Sequence, residues 1–77
     1  MNFIVYTKSG CTFCDKIKNV FNMTKQSFIE YELDIDFSKE EFITRFGNSS
    51  FPQVMIDGNN IGGCQETISF LKEQKII

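Results

Sequence analysis

Cys11 and Cys14 stand in Cys-x-x-Cys spacing within the stretch Lys8-Ser9-Gly10-Cys11-Thr12-Phe13-Cys14-Asp15. An ionised thiol is a strong nucleophile, and two thiols this close can pass electrons by closing into a disulfide. The stretch follows an apolar run, Phe3-Ile4-Val5-Tyr6, and leads into apolar residues at helical spacing, Ile17, Val20 and Phe21. It therefore falls where a strand hands over to a helix. The start of a helix offers unpaired backbone N–H groups and the positive end of the dipole, both of which stabilise a thiolate. Cys11 falls at that start, with the Lys8 charge three residues earlier, and is expected to be exposed and to titrate below the free value of ~8.5. Cys14 lies one turn further in, on the side of Ile17 and Phe21, and is expected to wait behind it.

Two other readings of the pair compete. Structural zinc takes four ligands. The chain has no histidine and only one further cysteine, Cys64, so zinc would need a carboxylate or a second chain. The pair could also be two small core residues. The strand-to-helix setting favours redox chemistry over both.

At 77 residues the chain is one domain, residues 1–77. A chain this short buries only ~60% of its unfolded surface, so its core must be well filled. Nine phenylalanines and two tyrosines supply large rings for that purpose. Three cysteines are too few, and the wrong parity, for a secreted disulfide scaffold. No signal-like segment opens the chain and no apolar run could span a membrane, so a cytoplasmic, reducing setting is expected. A net charge of −2 argues against a nucleic-acid partner. The charge is uneven, however. Residues 1–25 carry four lysines against Asp15, whereas residues 26–41 carry six carboxylates against Lys39. The dithiol end is thus locally basic, which suits an anionic thiol substrate.

The elements that must position the dithiol can be read in order. Residues 3–6 form a short apolar run expected to be a central strand buried on both faces. A helix follows over about residues 12–25, with Thr12 and Asp15 in capping-box spacing. Residues 28–35 alternate, with Ile29, Tyr31, Leu33 and Ile35 expected inward and Glu30, Glu32 and Asp34 outward, which reads as an edge strand with a wet acidic face. Ser38-Lys39-Glu40-Glu41 opens a second helix that buries Phe42 and Phe46 and stops at Gly47. Residues 53–56 form a third strand, Asp57-Gly58 a turn, and Asn60-Ile61 a short antiparallel partner. Gly62-Gly63 ends it, and residues 64–75 form a last helix with Ile68 and Leu71 inward. The order β-α-β-α-β-β-α makes the first two strands parallel and the last two a hairpin.

Three motifs now stand in register: the dithiol after the first strand, Phe51-Pro52-Gln53-Val54-Met55-Ile56-Asp57-Gly58 around the lone proline, and Ile61-Gly62-Gly63-Cys64 at the start of the last helix. Together they resemble the glutaredoxin family of the thioredoxin fold over nearly the whole chain. The resemblance implies an α/β, thioredoxin-like fold with a four-stranded mixed sheet flanked by three helices. It implies glutathione-dependent reduction of protein disulfides and glutathione mixed disulfides through Cys11 and Cys14, with glutathione as co-substrate. It makes Pro52 a cis-proline, where the residues alone favour an ordinary trans-proline opening a strand. Glutathione is implied to lie against Phe13 and the backbone of Phe51, with its glycine carboxylate held by Lys8 and Gln53. Its γ-glutamyl carboxylate would meet Gly63, Cys64 and Gln65, with Glu66 near its amino group. The chemistry agrees, since a helix N-terminus binds carboxylates and glycine lets a ligand approach the backbone.

The sequence departs from the family's usual pattern in two places. Thr12-Phe13 replaces the usual Pro-Tyr, which removes a hydroxyl and adds a backbone N–H beside Cys11. A site without that proline is also the type that can hold a [2Fe–2S] cluster between two subunits. No other metal is expected. Gln65 stands where an acidic or hydroxyl residue is common. Cys64 is common in the family without being catalytic and reads as a small apolar residue. The expected partners are glutathione and disulfide-bearing proteins, ribonucleotide reductase among them by family analogy, with the chain as a monomer. The rivals are a cluster-binding dimer and a redoxin fed by thioredoxin reductase. The latter would need no glutathione pocket.

Overall fold

In the computed structural model, which describes all 77 residues, the elements run β1 (Phe3–Thr7), α1 (Thr12–Met23), β2 (Phe28–Glu32), α2 (Lys39–Phe46), β3 (Gln53–Ile56), β4 (Asn59–Gly62) and α3 (Cys64–Glu73). The four strands form one sheet in the order β2-β1-β3-β4. β1 runs parallel to β2, as a connection through a helix requires, and antiparallel to β3. The expected architecture is therefore the observed one. No helix is long and apolar enough to cross a membrane.

The local chemistry explains each turn of the chain. Ser38 and Glu41 form the expected capping box, the Ser38 hydroxyl accepting the Glu41 N–H at 3.1 Å and the Glu41 carboxylate accepting the Ser38 N–H at 2.9 Å. Asp57 and Gly58 both adopt positive φ, 51° and 85°. That is the backbone a two-residue hairpin needs, and Asp-Gly supplies it at little cost. β4 is two residues longer than expected, because Asn59 and Gly62 also pair with β3. Both long helices are shorter than expected. Lys25 at φ 59° and Lys75 at φ 58° lie beyond their ends, in the left-handed region that stops a helix.

One face of the sheet carries the main core. Phe3 and Val5 of β1 lie with Val54 and Ile56 of β3, and Ile17 and Phe21 of α1 and Leu71 of α3 close over them. The opposite face is aromatic. Tyr6 meets Phe46 at 4.9 Å and Phe37 at 5.2 Å between ring centroids, and Phe42 stacks on Phe51 at 4.2 Å. The burial of β1 is asymmetric rather than complete: Phe3, Val5 and Thr7 are buried, whereas Ile4 and Tyr6 are half-buried. An α2 of eight residues is only about 12 Å long and packs its rings over Tyr6, leaving the start of this face open.

The same shortfall corrects the reading of β2. The alternation is present, but Ile29 is 53% exposed and Glu30 is half-buried on the α1 side. The strand also ends at Glu32. Leu33 forms one further bridge to Phe37, and Asp34 turns at φ 68°, leaving Ile35 73% exposed. The Asp36 carboxylate accepts the Glu32 N–H at 2.8 Å and holds this turn closed.

Glu30 faces inward because it has partners there. The Thr7 hydroxyl donates to its carboxylate at 2.7 Å and the Lys18 ammonium at 3.0 Å, tying α1 to the sheet edge. Burial alone would raise its pKa, but the Thr7 and Lys18 hydrogen bonds together hold it below the ordinary 4.5. The Glu30 hydrogen bond, opposed by burial, raises Lys18 above 10.5. Glu30 therefore contributes stability that is present above pH 4.5 and is lost as pH falls through its lowered folded value. Lys18 contributes stability present below 10.5 and lost as pH rises through its raised value. Glu30→Gln is expected to cost about 1 kcal/mol at neutral pH, given the partial exposure of the pair. Denaturant midpoints should show that difference shrinking below pH 4.5. An undiminished difference in acid would refute the electrostatic assignment.

Candidate active site: the Cys11–Cys14 dithiol

β1 ends at Thr7, and the chain turns through Gly10 at φ 71° to place Cys11 as the residue capping α1. The Cys11 sulfur itself accepts the Cys14 N–H at 3.1 Å. The expected Thr12–Asp15 capping box is not formed. Thr12 is already inside the helix, and the cap is the thiol one residue earlier. This is a stronger arrangement for chemistry than the expected one. The group that would carry negative charge is the group that receives the helix's free N–H.

Cys11 and Cys14 are joined as a disulfide, with Cα atoms 5.2 Å apart, inside the range such a bridge spans. Cys14 is 1% exposed, as its place on the inward side of α1 requires. Cys11 is 8% exposed rather than open to solvent, a correction to the reading from sequence. The order of access is nonetheless the expected one. Beside them the Phe13 ring is 53% exposed, an apolar surface at the mouth of the site.

A second wall comes from the loop before β3. The Phe51–Pro52 peptide bond is cis and Pro52 is buried. The Lys8 ammonium lies over the Phe51 ring, 5.5 Å from its centroid. Gln53 is 7% exposed with its amide engaged at both ends. It donates to the Ser50 carbonyl at 2.8 Å and accepts from the Asn60 amide at 3.3 Å. This leaves Lys8 as the free cation of the expected pair.

The hairpin brings the Gly62-Gly63 turn to the same wall. A Cβ on Gly63 would sit 3.4 Å from the Pro52 carbonyl oxygen and 3.1 Å from the Glu66 carboxylate. Gly62, at φ 122°, has a backbone other residues rarely adopt. The Glu66 carboxylate accepts the Gly63 N–H at 2.8 Å, so it caps α3 from within. Thr67, fully buried, donates its hydroxyl to the Gly63 carbonyl at 2.8 Å and holds the turn down. Thr67 was not singled out from sequence. Its spacing from Cys64 and Leu71 on one helix face carried the signal. Gln65 is exposed in the first turn of α3.

Cys64 lies in the main core, 5% exposed. Burial pushes its thiol above 9.0, against the Lys16 charge and with the Glu66 charge. It is thereby kept protonated and fits the reading as a small core residue. Nowhere do three His, Cys, Asp or Glu side chains converge, so a zinc site within one chain has no ligand set.

The Glutaredoxin family model matches residues 3–61. Glutaredoxin 3 of Escherichia coli strain K12 is 38% identical over 66 residues, covering 84% of this chain and 80% of its own length. Glutaredoxin-C6 of Oryza sativa subsp. japonica is 33% identical over 78 residues, covering 96% and 70%. Among solved structures, glutaredoxin 1 from Francisella tularensis superposes with a TM-score of 0.82 at 26% identity, covering 96% of this chain and 95% of that one.

Proposed function

Because this chain belongs to the glutaredoxin family and is a thiol–disulfide oxidoreductase, we propose that glutathione is its electron donor and that Cys11 is the attacking sulfur. The observation that carries the reading is the Cys11 sulfur at the cap of α1, accepting the Cys14 N–H. The Cys11 thiolate attacks one sulfur of a substrate disulfide. A mixed disulfide forms, and the other substrate sulfur leaves as a thiolate that takes a proton from water. For a protein substrate, Cys14 then attacks Cys11, the second substrate thiol departs, and the Cys11–Cys14 disulfide remains. One glutathione opens that disulfide to a Cys11 adduct. A second attacks the glutathione sulfur of the adduct, leaving as glutathione disulfide and restoring the dithiol.

Lys8 and the first turn of α3 offer this tripeptide a cation and a set of backbone N–H groups for its two carboxylates. Phe13, Phe51, Pro52 and the Gly63 turn form the walls between them. Gln53, Cys64, Gln65 and Glu66 complete the set, Gln53 and Glu66 chiefly by holding backbone in place. The proposed setting is the cytoplasm, where glutathione is kept reduced, and the proposed working form is a monomer.

The decisive assay follows turnover of a glutathione mixed disulfide with glutathione, glutathione reductase and NADPH. Robust turnover is expected. Turnover with thioredoxin reductase alone would instead favour the redoxin alternative. Within the same assay, Lys8→Gln should raise KM for glutathione by about fivefold, as loss of a partly exposed ion pair does. Gly63→Val should raise it further, because the added carbons meet the Pro52 carbonyl and the Glu66 carboxylate. Unchanged KM in both variants, with folding verified by circular dichroism, would remove the glutathione pocket from this wall.

A further inference from the structure

Between α2 and the aromatic face of the sheet lies a cavity of about 170 Å³. A cavity of about 150 Å³ holds a benzene-sized guest, so this one has room for a small head group. Its walls are rings: Tyr6 and Tyr31 from the sheet, Phe37 from the loop before α2, and Phe46 from the end of α2. Tyr6 stands at the centre of that set, its centroid 5.5 Å from Tyr31, 5.2 Å from Phe37 and 4.9 Å from Phe46. The cavity is separate from the dithiol site. None of Lys8, Cys11, Phe13 or Pro52 lines it, and Phe42 closes it on the side of Phe51, on which it stacks at 4.2 Å.

Three charged groups complete the lining, Asp36, Glu41 and Arg45. Each carboxylate has one oxygen committed to a backbone N–H, Asp36 to that of Glu32 and Glu41 to that of Ser38, and its second oxygen free. Arg45 forms no ion pair with either. Its guanidinium lies over Tyr6, 6.0 Å from the ring centroid, and donates to the Met55 sulfur. The chain therefore already places a cation on this wall. Ring faces are negative, and two carboxylates against one guanidinium leave the lining with a single net negative charge. An anion would be repelled, and a neutral guest would leave that charge unbalanced. One positive group balances it.

We propose that this cavity binds a small organic cation of the alkylated or quaternary ammonium class, with its charge over Tyr6 and the neighbouring rings and opposite Asp36 and Glu41. Ring faces attract such a cation within about 6 Å of their centroids. Its methyl groups pack on the aromatic walls, and its dispersed charge leaves water more readily than that of a compact ion. A metal ion needs more converging oxygens than two carboxylates supply, and no group of three ligating side chains forms. Arg45 competes with the guest for the same rings and carboxylates, so it acts on affinity in the opposite direction to Asp36 and Glu41. The head group can arrive on a free molecule or on a methylated lysine of a polypeptide, and the recognition chemistry is the same.

The chain has two tyrosines and no tryptophan, and both tyrosines line the cavity, so intrinsic fluorescence reads this site. The full chain is titrated with choline chloride, with sodium chloride at matched ionic strength, and with 3,3-dimethylbutan-1-ol, the uncharged isostere of choline. A saturable change is expected with choline, and the isostere should bind about fivefold more weakly, the discrimination that a cation over aromatic rings confers. Glu41→Gln and Asp36→Asn keep an oxygen to accept the backbone N–H, so the fold should stand. Each should weaken choline by about two- to fivefold, as loss of an exposed ion pair does. Arg45→Gln should strengthen it by a similar factor. The methylamide of acetylated trimethyllysine carries the same head group on a peptide unit. Tighter binding than choline would assign the cavity to a protein side chain and weaker binding to a free molecule, and either supports the site. No saturable change with choline, an equal response to the isostere, or unchanged affinity in all three charge variants would overturn the inference. None of these results would touch the dithiol chemistry.

Discussion

Cys11→Ser is expected to lose essentially all turnover, on the order of a thousandfold or more, because the nucleophile itself is removed. Its fold should barely change. Serine is among the best residues at a helix cap, and its oxygen can accept the Cys14 N–H that the Cys11 sulfur now accepts. Stability and activity should thus separate in one variant, which a loss by unfolding could not do. Cys64→Ala is the matched control. It removes the other non-resolving thiol from the core, should cost about 1 kcal/mol of stability, and should leave most turnover intact. Alkylation of the reduced protein should report the same order, Cys11 first and Cys64 last, since burial keeps Cys64 protonated. Substantial turnover in Cys11→Ser would sink the assignment of the nucleophile.

The order of elements was legible because local chemistry marks each boundary. Asp57-Gly58 has the two positive φ angles of a hairpin turn, and Ser38 and Glu41 close the box their spacing announces. The handover from β1 to α1 follows from the apolar run ending where helical spacing begins. What failed was what depends on distant partners. Alternation in β2 separates two faces but cannot say which is covered. Glu30 faces inward because Thr7 and Lys18, from two other elements, reach it. Ile29 faces outward because α2 is too short to roof it. The cap of α1 failed for another reason. Sulfur is absent from the usual capping residues, so in sequence the Thr12–Asp15 spacing is a stronger capping signal than a thiol one residue earlier. In the site, Lys8 and the Gly63 turn could be placed by motif. The engagement of Gln53 by Asn60 needed the pairing of β3 with β4, and the aromatic cavity between α2 and the sheet needed the whole fold.

Cys14→Ser should divide two reactions that the wild type performs together. Cys14 is 1% exposed and held behind Cys11, so solvent thiols and substrates meet Cys11 first. Its task is to attack the Cys11 mixed disulfide from within, at an effective concentration no free thiol reaches. A protein adduct on Cys11 shields its own sulfur, and without Cys14 its release must wait for a small thiol to enter. A glutathione adduct is small, and a second glutathione can resolve it directly. Cys14→Ser should therefore lose most reduction of protein disulfides and keep turnover of glutathione mixed disulfides. That turnover should rise, because closure of the Cys11–Cys14 disulfide diverts enzyme from the shorter cycle. The backbone N–H of Cys14, which supports the Cys11 sulfur, is unchanged by the substitution. Both assays are run on the one variant and the ratio of their rates is compared with wild type. A rise in that ratio toward the glutathione substrate, by about tenfold or more given the effective concentrations of intramolecular attack, is the expected result. Equal loss in both assays would mean that the Cys14 side chain supports the helix or the Cys11 thiolate rather than resolving its adducts.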